Sequence, residues 1–204
     1  MAITSYASLA SAVATYLDVS YSDISSVVSD VVTNAEKRIF REVRNADMEA
    51  AFSGTIASGV LAVPADFIDM KFAYVDTNPV LQMQMRPAAW MYERYPTRSA
   101  SGVPRFMARE ATNFIFGPFP DSDYTIKGIY FKRLDPVQTS TNALLTANPD
   151  LYLYASLAET ESVLGPNRDK RIPLWEARYT RVKELIHGEY ERGQYGGPIS
   201  VELG

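Results

Sequence analysis

Ile24-Ser25-Ser26-Val27-Val28-Ser29-Asp30-Val31-Val32-Thr33-Asn34-Ala35, continuing through Ile39 to Val43, carries apolar residues at steps of three and four. Valine has only middling helix propensity. Here, however, the valines come in adjacent pairs every four residues, which builds one stripe on a helix and would scatter over both faces of a strand. The spacing predicts a long amphipathic helix. Upstream, residues 4–17 place Tyr6, Leu9, Val13, Tyr16 and Leu17 on a second helical stripe behind a Thr4 or Ser5 cap, and Asp18 to Tyr21 link the two. Downstream, Glu36, Lys37, Arg38, Arg41, Glu42, Arg44, Asp47 and Glu49 form a mixed-charge run, read as a solvated or partner-facing flank.

From Phe52 the period changes to two. Phe52 to Ala57, a Ser58-Gly59 turn and Val60 to Val63 predict a hairpin closed by Pro64. Phe72 and Tyr74 flank a further apolar run. Leu81, Met83 and Met85 alternate with Gln82, Gln84 and Arg86 as in a half-buried strand, a methionine stripe that reads as core. Pro87 opens a short helix through Trp90, Met91 and Tyr95. Arg105 to Arg109, Asn113 to Phe116 and Tyr124 to Leu134 are the remaining expected strands.

Residues 135–147 read as a Thr/Ser-rich connector, and Asn148-Pro149 as the start of a third long helix, Leu151 to Leu164. Gly165-Pro166 ends it. A fourth begins between Asp169 and Ile172 and carries Leu174, Trp175, Arg178, Tyr179, Val182, Leu185, Ile186 and Tyr190, with Val31 and Leu185 both placed in the core. Gly196-Gly197-Pro198 forbids continuation, leaving an alternating, extended tail. The expected fold is α+β: a four-helix bundle, two N-terminal and two C-terminal helices, with an inserted β-rich lobe and an extended C-terminal tail. The expected boundaries are 1–50, 51–147, 148–193 and 194–204.

With 204 residues, 47% apolar and 22% charged, the chain has material for a core without metal or disulfide staples. It has no cysteine, which excludes disulfides, iron–sulfur clusters, cysteine-ligated zinc and thiol nucleophiles. A net charge of −4 disfavours nonspecific nucleic-acid binding. No lysine or arginine precedes Lys37, whereas Asp18, Asp23, Asp30 and Glu36 do, so the first 36 residues are wholly acidic in charge. Neither a basic n-region nor a membrane-length apolar window is visible, and the reading is of a soluble, untargeted protein with no membrane contact.

The chemistry-bearing residues are sparse. His187 is the only histidine, near the end of the last helix, where an imidazolium suits the carbonyl end of the dipole. No G-x-S-x-G, H-E-x-x-H, P-loop or dinucleotide motif is present. Glu159 and Glu161, two apart on a helix, point to different faces, and Asp121 and Asp123 suit an Asx-type turn better than a calcium loop. No cofactor, metal or catalytic residue is expected. Arg168, Lys170, Arg171, Arg178, Arg181 and Lys183, interleaved with Glu176 and Glu184, suggest a solvated face or intersubunit ion pairs.

Several segments in order resemble one family. They are Thr4-Ser5-Tyr6-Ala7-Ser8-Leu9, Ala35-Glu36-Lys37-Arg38-Ile39 with Arg41-Glu42-Val43-Arg44 and Asp47-Met48-Glu49, and Leu61-Ala62-Val63-Pro64-Ala65-Asp66-Phe67. Gly102-Val103-Pro104-Arg105-Phe106, Phe116-Gly117-Pro118-Phe119-Pro120 and Tyr124-Thr125-Ile126 follow. Asn148-Pro149-Asp150-Leu151-Tyr152-Leu153-Tyr154-Ala155 and Leu174-Trp175-Glu176-Ala177-Arg178-Tyr179 complete the set. The chain resembles the head-to-tail adaptor, or connector, proteins of short-tailed bacteriophages over nearly its whole length. Pro173 departs from the pattern, at a place where a helix-compatible residue is expected.

The resemblance implies a non-catalytic virion protein at the head–tail interface, folded in the host cytoplasm. It would form a dodecameric ring joining the portal protein to the tail nozzle or tail fibres and continue the DNA channel without binding DNA specifically. A subunit of such a ring needs surfaces for its neighbours and an anchor. Arg38, Arg41, Arg178 and Arg181 are the expected neighbour contacts, and Tyr195, Ile199, Val201 and Leu203 on the alternating tail the expected portal anchor, by β-augmentation or groove binding. The alternatives are another phage tail or head-completion ring protein, and, less favoured, a carbohydrate-binding protein or enzyme resting on carboxylates and tyrosines.

Overall fold

The structure is a computed structural model that describes residues 2–96, 101–164 and 170–194, with only the backbone described over 162–164. It separates into two compact units, one of Met1–Met48 with Leu134–Gly204 and the other of Glu49–Arg133.

In the first unit, α1 (Tyr6–Leu17) opens with a reciprocal cap. Ser5 Oγ accepts from the Ser8 amide at 3.3 Å and Ser8 Oγ accepts from the Ser5 amide at 2.9 Å, satisfying two donors that the first turn leaves free. Asp18, in the left-handed region at φ 58°, ends the helix. The predicted valine stripe forms α2 (Tyr21–Glu42), which buries Ile24, Val28, Val31, Val32, Ala35 and Ile39. α5 (Pro149–Leu164) is buried nearly all round: Leu151, Tyr152, Leu153, Ala155, Ser156, Leu157, Ala158 and Thr160 are each under 9% exposed. A helix with that pattern belongs at the centre, and α1, α2 and α6 (Ile172–Gln194) all pack on it.

Two expectations fail here. Residues 135–147 are more than a connector, since they hold α4 (Ala143–Ala147), capped by Asn142 Oδ1 accepting from the Leu145 amide at 2.9 Å. A five-residue helix is too short to show a period. On α6 the core stripe is Trp175, Tyr179 and Ile186, while Leu174 and Leu185 are 53% and 56% exposed. At about 100° per residue, Leu174 and Leu185 lie roughly 100° around the helix from the buried stripe, so two neighbouring stripes read as one wide one.

The second unit is one seven-stranded sheet built from β1 (Glu49–Thr55), β2 (Val60–Ala62), β3 (Phe67–Val75), β4 (Leu81–Met85), β5 (Phe106–Glu110), β6 (Asn113–Gly117) and β7 (Thr125–Lys132). The strand order is β1-β7-β3-β4-β5-β6-β2, antiparallel except for the short β4–β5 pair. β1 and β2 stand at opposite ends of that order, yet they follow one another in sequence through the Ala57–Val60 bridge and the Ser58-Gly59 turn. The sheet therefore rolls until it is nearly closed. Gly59 is required at the turn twice over: its φ is +78°, and a Cβ there would meet the Phe119 ring at 2.3 Å.

Phe52, Ile56, Met70, Val75, Met83, Met107, Phe114 and Ile126 fill the inside of the roll, with Phe52 edge-on to both Phe114 and Tyr130. Met83 is core as its spacing predicts, whereas Met85 is 42% exposed. α3 (Ala88–Arg94) covers Ala108 and Ile115 on the other side of β5 and β6 with Met91, and Trp90 packs edge-on to Phe106.

The expectation of a four-helix bundle with an inserted β-rich lobe is thus corrected. The chain is α+β, but its described residues form six α-helices and one nearly closed seven-stranded sheet. Counting only long amphipathic segments left two short helices out of the bundle count: α3, which the Pro87 reading expects, and α4, which it does not. Reading strands as local hairpins missed that β7 pairs with both β1 and β3 across long stretches of sequence.

Candidate functional site

Arg38 lies at the middle of the densest polar cluster in the helical unit. Its position on α2 faces α5 and α6, so that a residue of the charged run points inward. Nε donates to Glu42 Oε1 at 3.0 Å, one helical turn along, and Nη1 donates to Glu176 Oε2 on α6 at 2.8 Å. Nη2 bonds the second Glu176 oxygen, completing a bidentate fork, and Glu159 Oε1 on α5 lies 3.5 Å from Nη1. The guanidinium stacks 4.4 Å above the Tyr179 ring centre.

Glu42 ties in a second cation. Its Oε2 accepts from Lys183 Nζ at 2.7 Å and from the Tyr179 hydroxyl at 3.2 Å, and His187 Nε2 lies 3.1 Å from the Glu42 backbone carbonyl. Burial on its own would raise the Glu42 pKa, but the hydrogen bonds and charges of Lys183 and Arg38 together outweigh it and hold the carboxyl below its ordinary value. Hydrogen bonding to Glu176 raises the Arg38 pKa further, against a smaller opposing contribution from burial. Burial, then the Glu42 charge, raises that of Tyr179. Arg38 and Glu42 are thereby held in their charged forms and Tyr179 in its neutral one. That suits a clamp between helices.

A groove beside the cluster is lined by Arg38, Glu159, Glu161, Ile172, Pro173 and Glu176. Pro173, the departure noted in the sequence, lies in the first turn of α6, where the missing amide proton costs nothing. Among the described residues no group of three or more His, Asp or Glu is placed to hold a metal ion, and no helix is long and apolar enough to cross a membrane.

The expected interface residues divide. Arg38 is consumed within its own chain. Arg178 is exposed, donating to the Tyr154 hydroxyl at 2.9 Å. Arg41 and Arg181 are exposed with no hydrogen bond, ion pair or ring contact to another described residue. Tyr195, Ile199, Val201 and Leu203 lie outside the described residues.

Sequence reading missed the inward half of the charged run. Besides Arg38 and Glu42, Glu36 is 5% exposed and accepts from the Val137 amide at 3.0 Å. Burial raises its pKa, against the smaller opposing pull of that hydrogen bond. The signal lay in the valine stripe itself: Glu36 adjoins Ala35 and Ile39 on the buried face, and Arg38 with Glu42 is an i,i+4 pair at its edge.

Residues 4–202 match the family model described as SU10 adaptor protein. No curated protein matches the chain at a significant level.

Proposed function

The chain belongs to the SU10 adaptor protein family, a family of phage adaptor structural proteins, and from that membership we propose that it is the head-to-tail adaptor of a tailed phage. It is a structural component of the virion. In this reading about twelve copies form a closed ring that docks on the portal protein and receives the tail nozzle or fibres. The packaged DNA passes through the ring, and the protein performs no catalysis. The match over nearly the whole chain carries the reading. An ion-paired clamp between helices, with Arg38 and Glu42 held in their charged forms, agrees with a structural scaffold.

Residues 195–204 supply the portal anchor in this proposal, on sequence grounds: Tyr195, Ile199, Val201 and Leu203 form an alternating segment suited to strand addition. Native mass spectrometry of the protein, alone and mixed with its portal, tests the function. The expected result is a portal complex with about twelve added copies, and a protein indifferent to portal refutes it. Deleting residues 194–204 should leave far-UV circular dichroism unchanged and weaken portal attachment. A truncated chain that binds as well as the full one removes the anchor.

A further inference from the structure

Among the described residues, the helical unit exposes five large hydrophobic side chains, and they fall in two places. Tyr16, Val19 and Tyr21, at 43%, 41% and 46% exposed, sit at the corner where α1 turns into α2. Leu174 and Leu185 sit on α6. Among the described residues of the unit no other large hydrophobic side chain is exposed.

Each patch has its own charge. At the corner, Asp18 and Asp23 are exposed beside the three apolar side chains, in a stretch of sequence that contains no lysine or arginine before Lys37. On α6, Leu174, Arg178, Arg181 and Leu185 recur at steps of four, three and four, all exposed, and so form one stripe roughly 16 Å long. Glu184 flanks the stripe, and Ala177 keeps it flat.

The two patches are complementary in both respects. One presents leucines around a pair of guanidinium groups. The other carries two exposed tyrosines interleaved in sequence with two exposed carboxylates, residue types that take Arg as a ring-stacked cation and as an ion pair. Within a single chain both patches remain exposed, so neither covers the other. The α6 stripe cannot meet its own copy across a two-fold axis without placing arginine against arginine, and the corner cannot meet its copy without opposing carboxylates.

From this complementarity we infer that copies of the chain associate head to tail, the Leu174–Arg178–Arg181–Leu185 stripe of one subunit docking on the Tyr16–Asp18–Val19–Tyr21–Asp23 corner of the next. A contact between two different patches is heterologous, the type that repeats around a ring. The inference rests on the ring reading above and names the surfaces that close the ring.

Charge reversal with rescue tests it on the full chain, alone and with portal, by native mass spectrometry and sedimentation velocity. Arg181→Glu should weaken ring assembly at least tenfold while far-UV circular dichroism and Tm stay those of the wild type. Asp23→Arg should do the same, with a small Tm loss because Asp23 is the acidic residue of the first turn of α2. The double variant Arg181→Glu/Asp23→Arg should recover assembly. Folded single variants that form rings like the wild type overturn the interface, as does a double variant no better than either single one. Rings that form normally but no longer attach to portal would assign the stripe to the portal and equally overturn the inference. A wild-type chain that forms no ring with or without portal defeats the ring reading, and the interface with it.

Discussion

Replacing Arg38 by methionine keeps the length and apolar stem of the side chain and removes its charge from among Glu42, Glu159 and Glu176. Arg38 is 22% exposed, and its carboxylate partners range from 23% to 42%, so the cluster is neither a free surface pair nor a dry one. Charge-assisted hydrogen bonds contribute about 1.5–3 kcal/mol where solvent is excluded, and a cation over a ring about 0.5–2 kcal/mol. Partial exposure trims both, and the freed side-chain entropy offsets a little more. The variant also leaves three carboxylates facing one another. A loss of about 2–4 kcal/mol follows, which for a chain of this size lowers Tm by roughly 5–15 °C.

Thermal melts at neutral pH measure that shift, and the cycle of Arg38→Met, Glu176→Gln and the double variant isolates the pair. The double variant should lose at least about 1 kcal/mol less than the sum of the singles. A Tm within about 1 °C of wild type, together with additive singles, would mean that Arg38 is an ornament on the surface and that the clamp does not exist. The cluster also fixes a pH dependence. The Glu42 carboxyl is held below its ordinary value, so its stabilisation is complete above the unfolded-state pKa and is lost as pH falls through the lower folded-state one.

Glu36 should show the opposite sign. Burial raises its folded-state pKa, so its ionisation weakens the fold as pH rises through that value. Glu36→Gln keeps an acceptor for the Val137 amide and should raise Tm at pH 8 with little gain near pH 4, whereas Glu36→Ala strands that amide and should cost about 1–3 kcal/mol. A flat Tm difference for Glu36→Gln across pH would show the group to be solvated. Val31→Asp places an unpaired charge at a 2% exposed site and should cost more than about 4 kcal/mol. Leu185→Asp, at a 56% exposed site, should change stability by about 0.5 kcal/mol or less. Denaturant unfolding of the pair checks both, and equal losses would refute the two-stripe account of α6.

What could be read from sequence followed from period and turn chemistry. The paired valines place α2, the Ser5 cap starts α1, and Ser58-Gly59 marks the turn between β1 and β2. Sheet order could not be read, because nothing near Thr125–Lys132 says that this strand will pair on one side with Glu49–Thr55 and on the other with Phe67–Val75. Direction of charge was equally hidden. Glu36 and Arg41 look alike in a mixed run, and only the segment around Val137, folded back against α2, makes the first a buried acceptor, while the second stays in solvent.

The same packing explains why α6 has a surface to offer. α5 is buried nearly all round, and the buried side chains of α6 form only the narrow line of Trp175, Tyr179 and Ile186, with the Arg38 cluster securing its flank. A helix held by one stripe and a polar clamp is free to carry a second apolar stripe that its own chain does not use. Two leucines more than half exposed on one helical line, with arginines between them, are what a contact between copies would cover, so the head-to-tail proposal draws on the same packing that attaches α6 by a narrow buried stripe.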